Sequence, residues 1–463
     1  MDKNKELVKN TFIIFLGKFS SQFLTFFLLP LYTKFLASSD YGTIDLIMTY
    51  ITLFVPVVTI QYEMGTFRYL IDNRKNKSKQ SEIIYNSLIY FLKIIVFCIA
   101  ISVLLSLFID IKNFYLIISC IIAIVFSNLF MQIARGLGKN IDYSISCFVI
   151  GVMNIFFNII LIILLKFDGT SILISTCVSN IIGALFLFFK LKLYKSIKRK
   201  NKNKQISKKI IKYSWPLVPN TISWWLINAS DRTIVTWLIN PAANGIYAVS
   251  TKFSAIISSI LNIFNLSWTE SASLHIDDKD RDDFFSEVND QILRLMSSVC
   301  IGLIAFMPIL FNIFINNKYI EAYKYIPINI IASFFNCVVS IYSSIYVAKK
   351  MTKQVATTSF FAAVINIIVD LGLIKFIGLY AASVSTAIAY IIMAVYRGID
   401  LRKIVRIKYE KKLILIIIAF FSISTLLYYQ DNIFYKIVNM CIAIVYLMIV
   451  NRRLLKLVKR HKL

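Results

Sequence analysis

The sequence predicts an all-α integral membrane protein of about 14 transmembrane helices, set out as two pseudo-symmetric six-helix lobes plus two C-terminal helices. Three observations carry that expectation. Hydrophobic residues fill 58% of the 463 positions and mean hydropathy is +0.72, beyond the roughly 45–50% apolar content of soluble domains. They fall into runs of about 20 residues, the length a helix needs to cross a bilayer. The 51 Lys and Arg gather in the gaps between runs, so the formal charge of +27 marks a membrane topology and not a nucleic-acid surface.

In chain order the runs lie near 11–36, 42–66, 83–109, 113–134, 143–165, 170–189, 213–239, 244–268, 291–315, 325–348, 355–376, 378–396, 412–428 and 433–450. The first follows a basic stub, 1–10, and is too long for a signal-peptide core, so it is expected to be a membrane helix. With the amino terminus inside, inner gaps and tails hold about 40 of the 51 Lys and Arg, against about 6 in outer gaps, as the positive-inside rule requires. Both termini are therefore expected in the cytoplasm.

The most basic gap, 190–212, follows six runs and divides the chain. This gives an N-terminal six-helix lobe over 1–195 and a basic cytoplasmic linker over 196–212, able to touch anionic head groups. A second six-helix lobe covers 213–403, with two more helices and a basic tail over 404–463. The halves show faint self-similarity. Aligning Gly42 with Gly245 matches two turn glycines, and Asn154 and Asn158 resemble Asn366 and Asp370, each pair four residues apart and stacked on one helix face. Six runs per half make such a repeat parallel, with its axis along the membrane normal.

Several classes are set aside. Outer gaps are short, which argues against a membrane glycosyltransferase or polymerase needing an external catalytic domain, and no G-x-x-x-x-G-K-[ST] phosphate loop exists. The acidic gap 270–291 lacks the glycine and ligand spacing of an EF-hand and is expected to be a solvated helix start. Seven cysteines lie in apolar runs without C-x-x-C spacing, as buried small hydrophobes do. No catalytic group, metal or cofactor is expected, and the chain is expected not to be an enzyme.

The chemistry of interest lies in charges at membrane depth, which are costly and therefore functional candidates. Asp231 and Arg232 sit together in the seventh run. Adjacent helix residues point about 100° apart, so each needs a partner elsewhere. Counting inward from the outer end places Arg232 and Lys252 at one depth, about 12 to 14 Å in, where they could form a cationic patch. The first-lobe counterparts of Asp231 and Arg232 are Leu28 and Leu29. Lys18, with Gln22 one turn deeper, and Lys93 are further substrate-contact candidates; the alternative for every one is a buried pair holding helices together. Asp370 could bind a coupling proton or cation, or hydrogen-bond across a helix interface. Trp224 and Trp225 are mid-run, suited to stacking on a sugar or to packing. Trp215, Trp237 and Trp268 suit an interfacial belt, and Lys34, Asp45, Glu63 and Arg68 suit anchoring at span ends.

Four stretches add a resemblance: KNTFIIFLGK (Lys9 to Lys18), LPLYTKFLASSDYG (Leu29 to Gly42), ARGLGK (Ala134 to Lys139), and DRxxV followed by NGIYAVSTK (Asp231 to Lys252). In their order and spacing they resemble bacterial polysaccharide-type flippases of the multidrug, oligosaccharidyl-lipid and polysaccharide exporter superfamily, over essentially the whole chain. The resemblance implies a protein of the bacterial inner membrane that moves an undecaprenyl-pyrophosphate-linked oligosaccharide from inner to outer leaflet by alternating access, for O-antigen or capsule export. A cationic central cavity would take the pyrophosphate and sugar, and a proton or sodium ion could drive release. Asp231, Arg232 and the stretch from Gly245 to Lys252 carry over best; Lys18 and Lys93 rest on burial. Two alternatives within the superfamily are a peptidoglycan-precursor flippase and a cation-coupled drug exporter. The surplus of deep cations over acids favours an anionic cargo.

Overall fold

The computed structural model describes residues 26–108, 113–198 and 202–452, apart from the side chains of 105, 220, 223, 224, 227, 228, 263, 266, 267 and 270. Helices dominate and no strand occurs among the described residues. The chain divides into two compact units, Met1–Trp225 and Leu226–Leu463.

In the first unit α1 (Leu29–Phe35) opens with Pro30 in its first turn, where a missing N–H costs nothing. Then follow α2 (Ser38–Thr59), α3 (Tyr62–Asp72), α4 (Lys77–Ser106), α5 (Phe114–Gly136), α6 (Asn140–Ile159, extended by a π turn, Ile160–Leu164), α7 (Thr170–Lys190) and α8 (Lys204–Ser214). The run expected over 42–66 is not one helix. It breaks between α2 and α3, where Ile60 and Gln61 take left-handed φ values of 53° and 50°, costly for residues with a Cβ. Pro56 lies within the last turn of α2, and Gln61 is held by an N–H bond to Thr59 Oγ1 at 3.2 Å and by its amide on Thr221.

Small residues let helices close up, as lipid-embedded packing favours. A Cβ on Gly183 of α7 would stand 2.3 Å from Ile150 Cγ1 of α6. One on Gly65 of α3 would stand 2.7 Å from Ile210 Cγ2 of α8. The segment expected as a linker therefore holds a docked helix: Asn203 caps α8 by accepting from the Gln205 N–H at 2.9 Å, and Ile210 is fully buried.

The second unit takes up α9 (Leu217–Leu238), within which the boundary falls, then α10 (Pro241–His275), α11 (Arg281–Phe314), a 3-10 turn (Asn317–Tyr325), α12 (Ile326–Ala348), α13 (Thr352–Ile377), α14 (Tyr380–Asp400), α15 (Lys411–Tyr428) and α16 (Ile433–Val450). Asn240 caps α10 through its side-chain oxygen on the Ala243 N–H at 2.8 Å, with Pro241 in the first turn. In the packing α10 lies on α12, α12 on α14, and α15 and α16 on α11.

Among the described residues eleven helices are long and apolar enough to cross a bilayer. The expected first run lies mostly outside those residues. α9 and α10 form where the seventh and eighth runs were expected but are not among the eleven, and they carry Asp231, Arg232 and Lys252.

Three local expectations change. Trp268 belongs to no belt: it is buried, donates from Nε1 to the Ile341 carbonyl at 3.3 Å and packs on Phe264, Phe284 and Phe285, because α10 continues past it to His275. Glu63 is buried rather than anchored among head groups. Cys441 is exposed, unlike the five buried cysteines. The acidic stretch between α10 and α11 meets basic partners: Asp277 pairs with Lys349 and Asp283 with Lys408 at 2.6 Å. Hydrogen bonding and charge from Lys349 hold the Asp277 carboxyl below its usual range.

Arg397 on α14 is fully buried and ties three helices together. Its guanidinium donates to Thr358 Oγ1 (2.7 and 2.9 Å), Ser359 Oγ (3.1 Å) and the Val355 carbonyl (3.1 Å) on α13, and to Ser343 and the Val339 carbonyl (3.2 Å) on α12. Arg397→Ala should destabilise the second unit by about 2–4 kcal/mol, since several buried acceptors lose a charged donor at once. A thermal melt in detergent reads this, and Arg397→Lys should recover only part of the loss because it lacks the planar fork.

Candidate functional site

A cavity of about 220 Å³ opens in the second unit among α9, α10, α12 and α14. α9 contributes Asp231 and Arg232; α10 contributes Tyr247, Thr251, Lys252, Ser254 and Ser258; α12 contributes Asn329, Ser333 and Asn336; α14 contributes Thr386 and Tyr390. On α10, α12 and α14 the lining residues recur mainly at three- or four-residue intervals, so a single face of each of these helices is turned inward. The lining is hydroxyl, amide and charge, an unusual surface for helices in an apolar bundle.

The two charges on α9 point apart and find separate partners. Asp231 is 2% exposed, and its Oδ2 accepts from Tyr247 Oη at 2.9 Å and Thr386 Oγ1 at 2.6 Å. Arg232 reaches Thr251 Oγ1 at 3.5 Å and shares the cavity wall with Lys252, so the expected meeting of these cations occurs. Behind Asp231 a polar chain crosses to α13: Ser230 Oγ donates to Asn366 Oδ1 at 2.9 Å, and the Asn366 amide donates to Thr386 Oγ1 at 3.1 Å and Ser385 Oγ at 3.3 Å. Asn329 Nδ2 donates to Ser250 Oγ at 3.0 Å. One turn beyond Asn366, Asp370 is fully buried, and among the described residues neither of its carboxyl oxygens has a hydrogen-bond partner. Asp231 Oδ1 has none either. Asp370 is joined to this network only through its helix, one turn from Asn366, which shares Thr386 with Asp231.

The first unit holds a neutral counterpart. Asn154 donates to Thr176 Oγ1 at 3.4 Å and Asn158 donates to Asn154. Thr176 is the seventh residue of α7, as Thr386 is of α14. Asn158 stands where α13 has Asp370, and Leu28, the counterpart of Asp231, is buried.

Other expected site residues fall elsewhere. Lys18 and Gln22 lie outside the described residues, as does the side chain of Trp224. Lys93 is exposed on α4 beside exposed Leu92, Val96 and Phe97. Trp225 is engaged inside the first unit, donating from Nε1 to the Thr49 carbonyl at 2.9 Å with its ring 5.7 Å from Tyr50. Sequence reasoning missed Thr386, Asn329 and Asn336. A Thr or Asn in an apolar helix carries little signal, and only the register of four helices brings these together.

Fold and site together define a multi-pass membrane protein built on a transporter fold. Similar structures include the lipid II flippase MurJ in an inward closed conformation (17% identity, 96% of this chain and 100% of that one, TM-score 0.70). An inward-facing multidrug resistance MATE family transporter of the MOP superfamily is also similar (13%, 83% and 95%, 0.69), as is a Vibrio cholerae MATE transporter (11%, 86% and 96%, 0.58). No curated protein matches the sequence. The family described as polysaccharide biosynthesis protein matches residues 7–268, more than half of the chain, and the protein belongs to that family.

The Asp231 contacts predict a graded response. Tyr247→Phe should cost about 1–2 kcal/mol, the loss of one hydrogen bond to a charged acceptor. Thr386→Val should cost more, since it also strands the Asn366 amide; paired thermal melts check the order.

Proposed function

We propose that this protein is a flippase that carries an undecaprenyl-pyrophosphate-linked oligosaccharide repeat unit from the inner to the outer leaflet of the bacterial inner membrane, with both termini cytoplasmic. The observation that carries the reading is the joint presence of Arg232 and Lys252 on the wall of one hydroxyl- and amide-rich cavity. Two cations suit a pyrophosphate, whose charge cannot cross hydrocarbon unaided, while Ser, Thr and Asn side chains suit sugar hydroxyls. Family membership in polysaccharide biosynthesis favours a glycan cargo.

Transport needs alternating exposure of such a site to each side of the membrane, and it needs a driving term. Asp231 and Asp370 support coupling to a proton or sodium ion: among the described residues three of their four carboxyl oxygens have no hydrogen-bond partner, and the oxygens of Asn366 and Thr386 belong to the same network. A bound cation or proton would neutralise carboxyl charge there. Membrane potential adds about 2.3 kcal/mol per charge per 100 mV.

The same acidic pair is what a cation-coupled drug exporter would offer, so that reading stands second; Arg232 and Lys252 beside it oppose a cationic drug. A peptidoglycan-precursor flippase, the activity named for one structural relative, shares the pyrophosphate chemistry and differs in the sugar.

Deletion should cause cytoplasmic-leaflet accumulation of one lipid-linked repeat unit and loss of the matching surface polymer, read by lipid extraction and mass spectrometry. Unchanged pools would remove the assignment. Arg232→Ala should reduce export at least about tenfold with normal membrane abundance, as expected when a charged contact to phosphate is lost. In proteoliposomes Asp370→Asn should abolish the response to an imposed proton or sodium gradient; a full response in the variant would take Asp370 out of the coupling path.

A further inference from the structure

Behind the polar cavity, on the far side of α12, the second unit has a separate apolar groove of about 340 Å³. Phe334, Phe335, Val338 and Tyr342 of α12 line it, with Val395 and Ile399 of α14 and Ile414 and Ile418 of α15 opposite. At 100° per residue these α12 positions are centred about 150° from Asn329, Ala332, Ser333 and Asn336, which face the cavity. One helix thus separates a polar chamber from a greasy one.

The groove is polar at one end only. Arg402 and Tyr409 line it there, and Tyr409 Oη lies 2.8 Å from Tyr342 Oη. Gly398 leaves room for that pair: a Cβ would stand 3.3 Å from Tyr409 Oη. Lys411 lies one turn before Ile414 and on the same helix face. Around this end Lys403 pairs with Asp400, Lys408 with Asp283, and Glu410 with Arg294. Asp282 and Asp290 of α11 also belong to this end, Asp282 accepting from the Arg406 N–H at 3.2 Å; even so, Arg402, Arg406, Lys411 and Lys412 are without an ion pair among the described residues and basic groups outnumber acids there.

We propose that this groove is a binding site for an anionic bilayer phospholipid, one acyl chain along Phe334, Val338, Ile399 and Ile418 and the phosphate against Arg402 and Lys411. Apolar length fits the chain, and unneutralised positive charge at one end fits the head group. The basic segment belongs to a gap whose positive charge places it on the cytoplasmic side by the positive-inside rule, where anionic lipid is concentrated. The occupant is a bilayer lipid and not the tail of a cargo in the polar cavity, because α12 stands between the two. The site does not depend on which cargo the protein carries.

The test uses the purified full-length chain in detergent, with native mass spectrometry and thermal melts in the presence of phosphatidylglycerol, phosphatidylcholine or undecaprenyl phosphate. Phosphatidylglycerol should be retained over phosphatidylcholine by about fivefold for each basic residue engaged, and it should raise the melting temperature more. Arg402→Gln with Lys411→Gln should erase that preference, while Lys403→Gln, whose partner is Asp400, should keep it. Val395→Trp, at a half-exposed position, should reduce retention of both phospholipids. Equal retention of the two phospholipids, an undiminished preference in the double variant, or displacement of phosphatidylglycerol by equimolar undecaprenyl phosphate would each overturn the proposal.

Discussion

Burying the Asp231 carboxylate is the constraint around which the second unit is built. A charge removed from water costs several kcal/mol unless donors replace the solvent. The donors arrive from α10 through Tyr247 and from α14 through Thr386. Fixing those two hydroxyls fixes the rotation of two helices, and the Ser230, Asn366 and Thr386 chain extends the same requirement to α13. A polar network of this kind specifies a single arrangement where van der Waals contact alone would admit several.

How far the sequence carried depends on which physical signal was in play. Apolar run length is a strong signal, and the helices from Lys77–Ser106 through Ile433–Val450 follow the expected runs closely. The break at Ile60 and Gln61 had no glycine to announce it; it rests on a contact with Thr221 far along the chain. The docked helix inside the basic segment was hidden by its charge, since one face carries Ile210 and the other faces lysine-rich solvent. At the site, Asp231, Arg232 and Lys252 were legible because a charge in an apolar run is rare, and the shared depth followed from helix rise. Their hydroxyl and amide partners were not, because those residue types are common in membrane helices for unrelated packing reasons. Trp225 shows the same ambiguity: a ring suited to stacking on a sugar is equally suited to the Thr49 carbonyl and the Tyr50 ring it meets here.

The two units carry similar polar pairs with different chemistry around them. Asn154 with Thr176 and Asn366 with Thr386 occupy matching places, yet only the second carries acids, at 231 and 370. The neutral version is a helix-to-helix clasp. Where the first unit has Leu28 and Asn158, the second has Asp231 and Asp370, whose carboxyl oxygens are left partly without hydrogen-bond partners among the described residues.

The two-sidedness of α12 has a cost for the evolution of that helix. Because its wet and oily stripes are nearly opposed, inserting a single residue near its middle would swing one stripe by about 100°, presenting amides to hydrocarbon and rings to the chamber. Substitutions there can be absorbed one at a time, whereas changes of length cannot. Across homologous chains its span should stay constant even where the sequence drifts freely.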